Sequence, residues 1–219
     1  AIGRALIASP KIMLMDEPLA ALDEARKAEI LPYIERMRDE TGIPIVYVSH
    51  SVAEVARLAT DVVTLAAGRV VASGPARDVL GTFASGSATD ATDVGSLVEF
   101  EVVAHDGTYD LTLLRSPAGD WRVPRLEAEP GTRLRAFVRA RDVTIATHAP
   151  QGISALNVVP ATISALTSSD GAQALVEMDG GGDRILARVT RHSIDALSLR
   201  PGLPVYAIVK AISFDRACA

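Results

Sequence analysis

One residue in 219 is cysteine, Cys218, so no disulfide can close within the chain, and that scarcity fits a reducing compartment. No apolar run approaches the roughly 20 residues that a membrane-spanning helix needs. Any tie to a membrane would have to come through partner proteins. Basic runs are missing as well. The 22 Lys and Arg face 27 Asp and Glu, for a formal charge of −5, which argues against nucleic acid as a main partner. No Gly-x-x-x-x-Gly-Lys-Ser/Thr run occurs, so these residues include no glycine-rich backbone cradle for phosphates. The chain opens without Met, and Ala1 to Pro10 reads as the tail of a helix; we expect a piece of a longer protein. What is plentiful is apolar surface: 48% of the residues are hydrophobic, enough to fill two modest cores.

Ile12 to Met15, bounded by Pro10-Lys11 and Pro18, predict a short strand buried on both faces, as in a parallel sheet. Asp16 and Glu17 close it. Carboxylates at the end of a buried strand are costly unless something uses them. In a nucleoside-triphosphate site Asp16 would hold Mg²⁺ through water and Glu17 would polarise the water that attacks the γ-phosphate. Ala28, Leu31, Ile34 and Met37 then recur at helical spacing, predicting a helix from Asp23 to Thr41 that Pro32 kinks or splits near Ile30. Gly42 stops it and Pro44 to Val48 forms a second strand. The right-handed crossover of such a βαβ unit sets both strands parallel, with His50 and Glu17 on one sheet edge. Ser51 and Glu54 predict a capping box for a helix ending at Leu58. Residues 61–65 and 69–72 flank Ala67-Gly68 as a hairpin, and Pro75 to Leu80 reads as a short helix.

The run Asp16-Glu17-Pro18-Leu19-Ala20-Ala21-Leu22-Asp23 resembles the Walker B and D-loop of ATP-binding cassette (ABC) ATPases, and Tyr47-Val48-Ser49-His50 resembles their switch-histidine strand. The resemblance implies that Glu17 and His50 are catalytic, that Asp16 holds Mg²⁺, and that Asp16, Asp23 and Ser49 line bound ATP. It also shows what is missing: neither the Leu-Ser-Gly-Gly-Gln signature nor a credible glutamine loop is present. The fragment alone is therefore expected to be inactive. Within ABC importers, Ile30 to Arg36 and Tyr47 to Ser51 look most like the ATP-binding subunits of molybdate importers. Tungstate is a further cargo under that reading. Importers of iron(III), sulfate, sugars or polyamines are the alternatives, as is a non-catalytic oxyanion-binding regulatory module. The family implies a second copy of the subunit, transmembrane permease subunits, a periplasmic or extracellular oxyanion-binding protein, and a peripheral place on the cytoplasmic face of the membrane.

Gly81 to Ser96 is rich in small and polar residues and reads as a linker, placed at 82–96 between an ATPase part (1–81) and a β-domain (97–219). Beyond it, short alternating strands predict small barrels. Pro130-Gly131, Ala136, Val138 and Ala140 recur 71 residues later as Pro201-Gly202, Ala207, Val209 and Ala211, with Arg139 matching Lys210. We expect two similar lobes of oligonucleotide-binding (OB) character, about 97–148 and 153–215. The second resembles the molybdate-binding (Mop) domain, or transport-associated OB (TOBE) domain, through Ser154-Ala155-Leu156-Asn157-Val158-Val159-Pro160, Leu199-Arg200-Pro201-Gly202 and Val209-Lys210-Ala211. That resemblance implies an oxyanion held by Ser154, Asn157 and Lys210 with backbone N–H groups. Leu156 stands where relatives often carry Arg, which removes the fork of donors suited to a tetrahedral dianion. Arg133, Arg135, Arg139 and Arg141 share a strand face with Phe137, read first as a solvated face and second as an oxyanion or partner surface. The overall expectation is α/β: a partial P-loop NTPase parallel sheet followed by an all-β, OB-like two-lobed domain.

Overall fold

The computed structural model describes residues 10–82, 94–168 and 171–211, without the side chains of Glu24, Ala25, Ala28, Gly81, Thr82 and Ser168. The first strand, β1 (Met13–Asp16), pairs in parallel with β2 (Ile45–Val48), Met13 opposite Ile45 and Asp16 opposite Val48. Between them runs α1 (Glu24–Thr41), capped by the Asp23 carboxylate on the Arg26 N–H at 2.9 Å and closed by Gly42 at φ 64°. The expected burial of β1 on both faces is corrected. Met13 and Met15 are buried under α1, whereas Leu14 is 73% exposed. Among the described residues only one face of the two-stranded sheet is covered, so alternation replaces a uniformly buried run.

Pro32 does not split α1, which stays one helix of 18 residues. A mid-helix proline costs about 3 kcal/mol, but burying Leu31, Ile34 and Met37 on the same helix returns roughly 1.5–3 kcal/mol each. After β2 come α2 (Val52–Leu58), the hairpin β3 (Asp61–Ala66) and β4 (Arg69–Pro75), and α3 (Ala76–Thr82). Ala67 at φ 48° and Gly68 at φ 74° form the left-handed pair that a two-residue hairpin turn requires. Arg57 on α2, 6% exposed, is locked to Glu35 on α1 by two bonds of 2.6 and 2.8 Å.

Among the described residues the β-domain contains two sheets. One, ordered β7-β6-β5-β8, is built from β5 (Gly95–Asp106), β6 (Leu111–Ser116), β7 (Gly119–Pro124) and β8 (Arg133–Arg139). The other, ordered β12-β11-β10-β13-β9, contains β9 (Val143–Ala146), β10 (Asn157–Ser168), β11 (Gln173–Gly180), β12 (Asp183–Thr190) and β13 (Pro204–Val209), with α4 (Arg191–Ala196) after β12. The internal repeat has a backbone counterpart. Gly131 and Thr132 close on Val102 by N–H donation to its carbonyl and acceptance from its N–H, and Gly202 and Leu203 do the same with Ile163. The long strands β5 and β10 each carry an irregularity just after that residue.

The lobes are interlocked. β9, which precedes the expected second lobe in sequence, pairs with β13 of the second sheet, and one core cluster joins Trp121 and Phe100 to Ile163, Met178 and Val209. Trp121, fully buried, meets Phe100 edge-on with ring centroids 5.5 Å apart. The arginine face of β8 is corrected as well: Phe137 is 6% exposed and packs with Ala56, Val79 and Leu80 of α2 and α3. Arg135 pairs with Glu99 at 3.3 Å, and Arg133 and Arg135 line a cleft of about 1100 Å³ against Arg38, Asp39 and Arg57 of the preceding helices. This strand face thus meets the N-terminal part of the chain instead of standing wholly in solvent.

Candidate functional site

The parallel pairing of β1 and β2 brings Glu17 and His50 together. The Glu17 N–H donates to the Val48 carbonyl at 2.9 Å, continuing the ladder one residue past the strand. Glu17 sits at φ 44°, in the left-handed region that costs a non-glycine residue about 1–2 kcal/mol. The turn aims its carboxylate along the sheet edge. Oε1 of Glu17 accepts from the His50 N–H at 2.9 Å and lies 2.8 Å from His50 Nδ1. The His50 side chain is 81% exposed and Glu17 is 35% exposed, so the pair faces outward. Asp16, the last residue of β1, is exposed beside it.

Asp23 and Ser49 are engaged in local structure. Asp23 caps α1. The Ser49 hydroxyl donates to Glu54 at 2.9 Å and accepts from the Ser51 N–H at 3.1 Å. The capping box expected at Ser51 and Glu54 is half formed: Ser51 Oγ accepts from the Glu54 N–H at 3.4 Å, but the Glu54 carboxylate turns inward. There it takes the Tyr47 hydroxyl at 2.8 Å and the Lys27 ammonium at 3.2 Å. Burial pushes the Glu54 carboxyl up, but the Tyr47, Ser49 and Lys27 donors outweigh burial and hold it below the usual carboxylate range. Burial and that carboxylate push the Tyr47 phenol far up. Sequence reasoning placed Glu54 only as a cap, because spacing says nothing about which way a first-turn glutamate points.

The residues expected to hold an oxyanion divide. Ser154 and Lys210 are exposed, as is Leu156 at 46%. Asn157 is fully buried: its Oδ1 accepts from the Arg122 N–H at 2.6 Å and its Nδ2 donates to the Arg122 carbonyl at 3.0 Å. Its amide therefore mimics a strand partner and ties β10 to β7. Ser96 makes the mirrored tie, Oγ accepting from the Leu186 N–H at 2.8 Å, from the start of β5 to β12. Asn157 and Ser96 occupy matching places in the two lobes, and Ser96 carried no motif that would have flagged it.

The chain is similar to known proteins in three respects. Residues 153–213 match the family described as the TOBE domain, and the C-terminal region is a mostly β fold of that OB-like type. Over 217 residues the chain is 57% identical to the molybdenum import ATP-binding protein ModC of Mesorhizobium japonicum, covering 99% of this chain and 59% of that protein. It is 58% identical to the protein of the same name from Rhizobium meliloti, covering 98% of this chain and 60% of that one. The chain thus spans about 60% of the length of these curated relatives. A solved structure titled as the cytoplasmic molybdate-binding protein ModG, with molybdate bound, is similar at a TM-score of 0.48 and 22% identity, over 59% of this chain and 96% of that one.

Proposed function

We propose that this chain is part of the ATP-hydrolysing subunit of an ABC importer that energises uptake of molybdate. The observation that carries the reading is the Glu17–His50 contact at the open edge of a parallel β1–β2 pair, next to Asp16. This is where a P-loop NTPase sheet presents its water-polarising carboxylate. The similarity to the ModC proteins supports both the ATPase and the cargo.

The residues fit the groups that this chemistry needs. A single exposed carboxylate at a strand end, Asp16, suits Mg²⁺, which keeps most of its waters and takes few protein ligands. Asp16 would hold Mg²⁺, which when bound supplies charge neutralisation at the nucleotide's phosphates. Glu17 would orient the attacking water and accept its developing proton, with His50 beside it at the γ-phosphate. The 2.8 Å contact holds His50 Nδ1 against Glu17 and fixes the direction of the imidazole. Asp23 and Ser49, which follow the two strands, have their side chains engaged by the α1 cap and by Glu54. The working unit under this reading is a pair of such subunits beneath permease subunits, at the cytoplasmic face of the membrane, supplied by an external oxyanion-binding protein. No helix among the described residues is long and apolar enough to cross a membrane.

The test is Glu17→Gln in the full-length subunit. The amide keeps size and hydrogen bonding but loses the charge that orients water. ATP should still bind, while hydrolysis falls by on the order of a hundredfold or more. A variant that turns over at the parental rate would sink the assignment. The 219-residue chain by itself, having no phosphate-loop motif, should show no magnesium-dependent turnover.

A further inference from the structure

Glu54 has no role in the hydrolysis scheme above, yet it is 4% exposed at the first turn of α2. One carboxylate gathers the Tyr47 and Ser49 hydroxyls from the end of β2 and the Lys27 ammonium from α1. Ser49 Oγ in turn takes the Ser51 N–H, and Ser51 Oγ takes the Glu54 N–H. The residues on either side of His50 are thereby tied to Glu54, directly or through one bond. His50 itself, 81% exposed at its side chain, is not positioned by packing. Its place depends on the turn that carries it.

We propose that Glu54 is a positioning residue for the His50 turn, its buried carboxylate holding Ser49 to Ser51 in the conformation that sets His50 against Glu17. The inference rests on the hydrolytic reading for its consequence, though not for its geometry. Three donors converge on this side chain. Only an ionised carboxylate offers two oxygens that accept and never donate. Glutamine would supply one accepting oxygen and point an N–H₂ group at a hydroxyl or an ammonium. A glutamate needed only as a helix cap would reach back to the Ser51 N–H; here Ser49 Oγ takes that N–H, and Glu54 braces Ser49. Burying a charge costs several kcal/mol unless it is paired, and Lys27 supplies the pair from a separate element.

The experiment uses the full-length subunit with Glu54→Gln, His50→Ala and both together. In nucleotide-free protein, hydrogen exchange of the His50 amide, which donates to Glu17, should speed up by about tenfold in Glu54→Gln. The kcat for ATP should fall by about ten- to a hundredfold, with nucleotide affinity held to within about twofold. In the His50→Ala background Glu54→Gln should cost nothing more. Parental exchange and parental kcat in Glu54→Gln overturn the proposal, as do losses that multiply in the double variant, because Glu54 would then act elsewhere. If Glu54→Gln does not fold, Ser49→Ala removes one brace while leaving the carboxylate paired. It should show the same lack of additivity with His50→Ala at smaller size, and additive losses would again overturn the idea. A parent that never hydrolyses ATP, yet whose His50 amide exchange depends on Glu54, would sink the hydrolytic reading and leave the positioning role standing.

Discussion

Asn157 shows how one side chain can be claimed by fold and function at once. In sequence it belongs to a Ser-Ala-Leu-Asn run read as an oxyanion motif; in the structure both ends of its amide are spent on the Arg122 backbone, at zero exposure. Asn157→Ala would orphan a backbone N–H and a carbonyl between the lobes. Each such group costs about 1–3 kcal/mol, so chemical denaturation should show a loss of about 2–4 kcal/mol. A loss under ~0.5 kcal/mol would mean that water replaces the amide freely. Ser96→Ala, orphaning only the Leu186 N–H, should cost about half as much. Gly95 is constrained by its surroundings: a Cβ there would lie 2.4 Å from the Val138 carbonyl oxygen and 2.7 Å from the Phe137 ring.

At the scale of elements, the turn between β2 and α2 is where charge meets secondary structure. Glu54 has its carboxyl held below the ordinary range because, although burial opposes ionisation, the Tyr47, Ser49 and Lys27 donors favour it more. A group whose folded pKa is depressed contributes stability that is fully present above its unfolded pKa, about 4.3 for Glu, and lost as pH falls through the folded pKa. Stability of the parent should therefore drop more steeply than that of Glu54→Gln as pH falls below about 4.3. Denaturation midpoints taken across that window check it, and equal slopes would contradict the pairing of Glu54. The helix α1 supplies a simpler case. Its Asp23 cap on the Arg26 N–H makes Asp23→Ala worth about 0.5–2 kcal/mol of stability, measurable in the same denaturation experiment.

For the whole molecule, the two lobes form one body. They share a core, β9 passes from the first lobe into the second sheet, and they are tied twice by Asn157 and Ser96. The first sheet also packs on α2 and α3 through Phe137. If the region that matches the TOBE domain binds an oxyanion, the exposed Ser154 and Lys210 with neighbouring N–H groups are the donors left to hold it, since the Asn157 amide is engaged. One lobe offers few donors for a dianion, so a contact between two copies is the expected place. Leu156, 46% exposed, predicts weak binding. Leu156→Arg should strengthen molybdate binding by about 1–3 kcal/mol, the worth of charged hydrogen bonds. Titration calorimetry with molybdate, tungstate and sulfate tests this. No heat with any anion in parent or variant would leave the domain as a packing element, and an equal response to sulfate would point away from molybdate.

Short-range chemistry was legible in the amino-acid order. The parallel βαβ unit, the Ser51 cap, the Ala67-Gly68 turn and the repeat of Pro-Gly before β8 and β13 all follow from spacing and turn residues. These features act within a few residues or within one crossover, and sequence distance measures them well. Three others belong to tertiary structure alone: the inward swing of Glu54, the burial of Phe137 under α2 and α3, and the pairing of Asn157 with Arg122 and Ser96 with Leu186. Each joins elements that lie apart in sequence, up to 90 residues for Ser96 and Leu186. The physical reason is that a buried polar group takes whatever donor or acceptor packing brings to it, and periodicity records which face a side chain is on but not what will be waiting there.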